Sequence, residues 1–255
     1  MSRPALIMIC AGGTGGHLFP AQALASVLRD KGLRTILVTD ERIGKLADTF
    51  PAEKVISVPS ATPSRRSPLA VLSAVGKLSR GTMVARGLIR REKPDVVVGF
   101  GGYPTVPPLL AAAMLKVPTV VHEQNGVLGR ANKLLARFVT HLATSALTVK
   151  GGPGSAEPKV VRTGNPVRDM VIKAAETPYP TTSPTDKIRL LVFGGSQGAK
   201  IMSDVVPQAM KRLAPEHLRR TARIGDSGKL LSPYRAPDYP CAPPLARRNP
   251  GPPSP

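Results

Sequence analysis

The chain has 255 residues, 42% of them hydrophobic, which suits a buried core and excludes a wholly disordered polymer; the length fits one large domain or two small ones. Thirty-six Lys and Arg against sixteen Asp and Glu give a formal charge of +20, so the chain is drawn to polyanions: nucleic acid, phosphorylated ligands or an anionic membrane face. Aromatic residues make up 4% with no Trp, against an aromatic stacking surface, and the two distant cysteines, Cys10 and Cys241, exclude a disulfide scaffold.

Met1 to Cys10 carries one Arg and a short apolar run leading straight into glycines, the pattern of a first strand and not of an export signal. The strand predicted over 5–10 is followed by Ala11-Gly12-Gly13-Thr14-Gly15-Gly16-His17 and then by helical spacing from Ala21 to Arg29. Thr35 to Thr39 reads as a second strand, closed by Asp40. Between Leu69 and Arg91, Leu72, Val75, Leu78, Val84, Leu88 and Ile89 alternate with Lys77, Arg80, Arg86, Arg90 and Arg91. That pattern fits a basic helix pair lying on anionic headgroups, and equally a core stripe with a wet basic face.

Asp95 to Val98 is a third strand, ending in Gly99-Phe100-Gly101-Gly102-Tyr103, with a helix expected over 109–115. Thr119 to Val121 is a fourth, running without a spacer into His122-Glu123-Gln124-Asn125. Continuous β-branched runs alternating with helices imply a parallel sheet covered on both faces. The longest apolar candidate, Val106 to Val121, is broken by Pro107, Pro108, Lys116 and Pro118, short of the roughly 18 residues of a membrane span.

Residues 177–186 read as a linker, after which the design restarts: strand Ile188 to Phe193, turn Gly194-Gly195-Ser196-Gln197-Gly198, helix Ile201 to Leu213. Ten of the twenty-eight prolines fall after residue 214, among them Pro243, Pro244, Pro252 and Pro253. Proline removes a donor and fixes φ, so residues 215–255 are expected to be a disordered Pro/Arg-rich tail. The expected organisation is therefore an α/β domain over 1–176, a linker, and an incomplete second domain over 187–214.

Three glycine turns, each joining a strand to a helix, gather backbone N–H groups and a positive helix end, which suits a diphosphate. The first turn lacks the offsets of G-x-G-x-x-G, yet Asp40 stands where a ribose-binding acid sits in nicotinamide enzymes, so an NAD-type oxidoreductase stays open. His17, at the opening of the first helix, can act as a general base or merely hold the loop. His122 to Asn125 offer donors and acceptors for sugar hydroxyls. Arg168, after the turn Gly164-Asn165-Pro166-Val167, can pair with a phosphate or remain a solvated charge. A basic lipid-surface module without catalysis is the third reading; no helix-turn-helix, zinc-finger or RNP-like pattern supports nucleic acid as a partner.

Gly12-Gly13-Thr14-Gly15-Gly16-His17 with Pro20, Gly101-Gly102-Tyr103-Pro104, His122-Glu123-Gln124-Asn125, Gly164-Asn165-Pro166-Val167-Arg168 and Gly194-Gly195-Ser196-Gln197-Gly198-Ala199 together resemble the MurG family of glycosyltransferases, in order, from about residue 5 to about residue 213. The resemblance implies a GT-B fold of two Rossmann-like doubly wound domains, the second incomplete here. It implies inverting transfer of N-acetylglucosamine from UDP-GlcNAc to the C4 hydroxyl of undecaprenyl-diphosphate-linked muramyl-pentapeptide, in peptidoglycan synthesis. The setting it implies is peripheral, on the cytoplasmic face of a bacterial inner membrane, with no cofactor and no metal. Matched residue by residue, the resemblance implies UDP-sugar contacts from Thr14, Gly15, Gly16, Asn125, Arg168 and Ser196, a general base in His17, and an acceptor-diphosphate loop in Gly101, Gly102 and Tyr103. The likeness also favours membrane contact for Leu69 to Arg91. After Leu213 the chain departs from the family pattern, as a truncated or frame-shifted product would, and weak or absent activity is the expectation for it alone.

Overall fold

The computed structural model describes residues 3–12, 14–61, 68–152, 159–178, 181, 188–193, 200–212 and 218–224. The chain divides into two compact units, Met1–Arg168 and Asp169–Pro255. Among the described residues the first unit holds seven strands, β1 (Leu6–Cys10), β2 (Arg34–Thr39), β3 (Lys54–Ser57), β4 (Val96–Gly99), β5 (Thr119–Glu123), β6 (His141–Thr144) and β7 (Val160–Arg162), and four α-helices, α1 (Gly15–Asp30), α2 (Pro68–Glu92), α3 (Val106–Met114) and α4 (Arg130–Leu135). All the strands pair in parallel, in the order β3-β2-β1-β4-β5-β6-β7.

Side-chain alternation along β1 splits the core in two. Leu6, Met8 and Cys10 point to one face, against Ala85, Leu88 and Ile89 of α2, Leu109 of α3 and Leu135 of α4. Ile7 and Ile9 point to the other, against Leu18, Ala21 and Ala25 of α1. Each fully buried Leu or Ile contributes about 1.5–3 kcal/mol, so a strand buried on both faces has to be continuously apolar.

Several expected boundaries shift. Helix α1 begins at Gly15, six residues before the apolar spacing starts, and continues through Pro20. The carbonyl that Pro20 leaves unbonded belongs to Gly16, which is exposed in the first turn, so the cost is small. Helix α3 begins at Val106, because Pro107 and Pro108 stand in its first turn, where no N–H is required. Residues 68–92 form one helix of 25 residues instead of a pair. Gly81 lets this helix pack closely on its neighbours: a Cβ there would strike the Pro59 carbonyl and lie 3.1 Å from the Pro107 ring. Strand β5 runs two residues further than expected, so His122 and Glu123 lie inside the sheet.

In the second unit α5 (Asp169–Ala175) precedes β8 (Ile188–Phe193), α6 (Lys200–Lys211) and β9 (Leu218–Ile224), and β8 and β9 pair in parallel. Residues 218–224 were expected to be disordered; they form a strand because Leu218-Arg219-Arg220-Thr221-Ala222-Arg223-Ile224 is free of proline and its backbone can join the β8 ladder.

Candidate functional site

Strand order fixes where a ligand can sit. From β1 the chain winds outward one way to β2 and β3, and from β4 the other way to β5, β6 and β7. The reversal between β1 and β4 opens a crevice at the carboxyl ends of these neighbours, where open α/β sheets bind ligands. Gly12 and Thr14–His17 follow β1, and the Gly101–Tyr103 turn follows β4, so both groups stand at these carboxyl ends.

The two turns touch. The Gly12 N–H donates to the Gly101 carbonyl at 3.2 Å. Gly101 has φ +97° and Gly102 φ +79°, values that favour glycine. The His17 ring fills the space a side chain would need: a Cβ on Gly101 would lie 3.0 Å from His17 Cδ2 and 3.1 Å from Nε2. Tyr103 opens a short 3-10 turn directly behind the pair.

Thr14 occupies the N-cap of α1 in extended conformation, yet its side chain makes no capping bond, and no acid stands in the first turn. Its hydroxyl is engaged elsewhere, 2.9 Å from His17 Nδ1. The positive end of α1, with Gly15 and Gly16 in its first turn, is thus suited to an anion. A Cβ on Gly16 would meet nothing within 4 Å, and one on Gly15 would stand 2.8 Å from the Phe19 ring. Arg168 closes this corner: its guanidinium carbon lies 3.9 Å from the Phe19 ring centroid, which holds the charge near the helix end without neutralising it. Phe19 went unnoticed in the sequence; its place two residues after His17 was the available signal.

The His122 to Asn125 quartet divides by depth. His122 is buried, its Nε2 2.9 Å from the Gly164 carbonyl and its ring 5.4 Å from that of Phe100. Burial holds its pKa below the ordinary histidine value, partly opposed by the Gly164 hydrogen bond and the nearby Glu123 charge. Glu123 is 2% exposed and accepts from Asn125, Gly129 and Asn132, so it does not meet a sugar directly, contrary to what a polar run beyond the strand suggests. Gln124 donates to the Phe100 carbonyl at 2.9 Å, tying β5 to the β4 turn. Asn125 is exposed, two residues beyond the end of β5.

Of the expected site residues, Thr14, Gly15, Gly16, His17, Gly101, Gly102 and Tyr103 gather at the β1/β4 carboxyl ends, with Arg168 stacked beside them on Phe19. Asn125 stands after the next strand. Ser196 lies outside the described residues. Asp40, the acid that the nicotinamide reading requires, is buried at 8% exposure and not displayed to a ribose. Desolvation pushes the Cys10 thiol pKa far up, so this cysteine beneath the site is no nucleophile.

Residues 7–144 match the model of the glycosyltransferase family 28 N-terminal domain, more than half of the chain. The chain belongs to glycosyltransferase family 28. Among its relatives, the UDP-N-acetylglucosamine--N-acetylmuramyl-(pentapeptide) pyrophosphoryl-undecaprenol N-acetylglucosamine transferase of Methylobacterium sp. (strain 4-46) is 54% identical over 90% of this chain and 63% of its own. The protein of the same name from Methylobacterium nodulans is 57% identical over 84% of this chain and 57% of its own. The crystal structure of MurG from Acinetobacter baumannii superposes with a TM-score of 0.61 at 28% identity, covering 82% of this chain and 58% of that one. A glycotransferase of kitacinnamycin has the same fold, with a TM-score of 0.57 at 14% identity. The chain thus spans about three-fifths of the length of these family 28 relatives. The seven-stranded sheet is the amino-terminal Rossmann-like part of the GT-B class.

Proposed function

We propose that the chain carries the acceptor-side and part of the donor-side machinery for moving N-acetylglucosamine from UDP-GlcNAc to the C4 hydroxyl of an undecaprenyl-diphosphate-linked muramyl-pentapeptide. The observation that carries this reading is the His17 ring, seated against Gly101 and hydrogen-bonded to Thr14 at the mouth of the β1/β4 crevice. The relatives' names, at 54–57% identity, supply the substrates. Residues 1–176 form the acceptor and membrane-facing domain in this reading, and 187–214 belong to the UDP-sugar domain.

The chemistry follows from the placement of groups. The acceptor oxygen attacks the anomeric carbon while the UDP oxygen leaves from the opposite face, inverting the centre without a covalent sugar–enzyme intermediate. Charge grows on the departing diphosphate, and the α1 end at Thr14, Gly15 and Gly16, with Arg168, stabilises it. For His17 Nε2 to take the hydroxyl proton, Nδ1 must carry the other; the Thr14 hydroxyl, 2.9 Å away, is able to accept from Nδ1 in that tautomer. Gly101, Gly102 and Tyr103 hold the acceptor diphosphate and Asn125 addresses the donor; a donor contact is assigned to Ser196 by the family likeness alone.

Helix α2 supports a peripheral membrane setting. Leu72 and Met83 are 69% and 66% exposed, flanked by exposed Lys77, Arg80, Arg90 and Arg91, whereas Leu88 and Ile89 are buried in the core. No described helix is long and apolar enough to cross a membrane. An amphipathic basic face of this kind rests on anionic lipid, and we assign it to the cytoplasmic leaflet of the inner membrane.

The test is transfer of radiolabelled N-acetylglucosamine from UDP to the lipid-linked acceptor in detergent. This chain alone is expected to give little or no product; in a full-length family 28 relative, alanine at the position matching His17 should lower turnover by about 10²–10⁴-fold while donor affinity changes less than about twofold. Unchanged turnover in that variant would remove the base, and no binding of UDP-GlcNAc by this chain would remove the assignment.

A further inference from the structure

Glu123 is an unusual group for the middle of a Rossmann-like sheet. It ends β5 at 2% exposure, and among the described residues no Lys or Arg forms an ion pair with it. Its carboxylate is instead compensated by four N–H donors. Oε1 accepts from the Asn125 backbone at 3.1 Å and the Asn125 side chain at 3.0 Å. Oε2 accepts from the Gly129 backbone and the Asn132 side chain, both at 2.9 Å. A buried carboxylate is tolerable only when so satisfied, and so satisfied it becomes a rigid fixture.

The four donors come from two elements. Asn125 and Gly129 bracket the segment between β5 and α4, and Gly129 is the N-cap of α4. Asn132 lies in the first turn of α4, and its Nδ2 also reaches the His122 carbonyl at 3.3 Å. The same Nδ2 lies 3.4 Å from where a Cβ on Gly101 would stand, against the turn that seats His17. One carboxylate thus holds the exposed Asn125 at a fixed angle and, through Asn132, backs the turn under the His17 ring.

We propose that Glu123 is a positioning residue that sets Asn125 for the donor nucleotide and buttresses the Gly101 turn. It contacts neither substrate. The inference rests on the proposed role of Asn125, and its test separates the two. Glu123→Gln replaces one accepting oxygen with an NH₂ group facing N–H donors, with almost no change in shape. Asn132→Ala is the second variant, sparing both backbone bonds.

Amide hydrogen exchange on the whole 255-residue chain reads the fixture directly. In Glu123→Gln at least one of the Asn125 and Gly129 amides, the one left facing the NH₂ group, should exchange about tenfold faster or more, while the amides of β1 and β4 keep their protection. In Asn132→Ala the change should centre on Gly101 and Gly102. Unaltered exchange at 125 and 129, or uniform loss across β1 and β4, overturns the proposal.

A second readout is UDP-GlcNAc affinity in a double-mutant cycle with Asn125→Ala. Glu123→Gln should weaken binding about tenfold when Asn125 is present and less than twofold when it is absent, a dependence that general destabilisation would not produce. Equal losses in both backgrounds also overturn it. If the unaltered chain does not bind the sugar nucleotide, the proposed function fails, and the exchange pattern alone decides the role of Glu123.

Discussion

Replacing Gly101 with alanine tests how the two glycine turns seat His17. Gly101 adopts φ +97°, and a Cβ there would stand 3.0 Å from His17 Cδ2, 3.1 Å from its Nε2 and 3.4 Å from Asn132 Nδ2. The backbone strain and the overpacking each cost about 1–3 kcal/mol, and a combined loss of about 2–4 kcal/mol is expected because the ring can yield a little. For a unit of this size that is a fall in melting temperature of roughly 4–16 °C. The control is Gly16→Ala, whose Cβ would meet nothing within 4 Å. In the first turn of α1 that change should be neutral or stabilising by up to about 1 kcal/mol. Thermal unfolding followed by circular dichroism measures both variants, and imidazole NMR signals report whether His17 has moved. Equal melting temperatures for the Gly101 variant and the parent, with unmoved His17 signals, would refute the packing argument; so would equal losses at Gly101 and Gly16.

The remaining predictions concern pH and the membrane. His122 has a pKa lowered by burial, so the folded state favours its neutral form. Its contribution is full above the ordinary value of about 6.5 and declines as pH falls below that toward the lower folded value. Urea unfolding between about pH 7.5 and 5 should therefore show a steeper loss of stability in the parent than in His122→Gln, and parallel profiles would discard the assignment. The double change Leu72→Glu and Met83→Glu, on the exposed side of α2, should reduce sedimentation with anionic vesicles by about tenfold or more without altering the melting temperature. Undiminished sedimentation would return α2 to an ordinary wet helix face.

The doubly covered strands were readable because burial on both faces leaves unbroken apolar runs, as in Ile7 to Cys10 and Ile36 to Val38. Strands β3, β6 and β7 were not, since each has three or four residues and β3 and β7 border the sheet with exposed positions. The glycine turns were legible as turns, but their mutual contact through Gly12 and Gly101 is long-range and has no local signal. Proline misled twice: in α3 it occupies a helix start, and after residue 214 its abundance hid the proline-free strand β9. The buried, positioning place of Glu123, which the sequence offers to a sugar, and the place of Phe19 escaped notice for one reason. Their roles depend on partners brought close by the fold, Asn132 for the first and Arg168 for the second.

The central claim is that the carboxyl ends of β1 and β4 receive the sugar nucleotide and its acceptor around His17. Titration of UDP-GlcNAc into the isotope-labelled chain, followed by backbone amide shifts, tests it most directly. Saturable shifts are expected at Gly15, Gly16, His17, Asn125 and Arg168, with none from an equal concentration of NADH. Shifts from NADH at the same amides, or an unmoved α1 end at saturating sugar nucleotide, would contradict it.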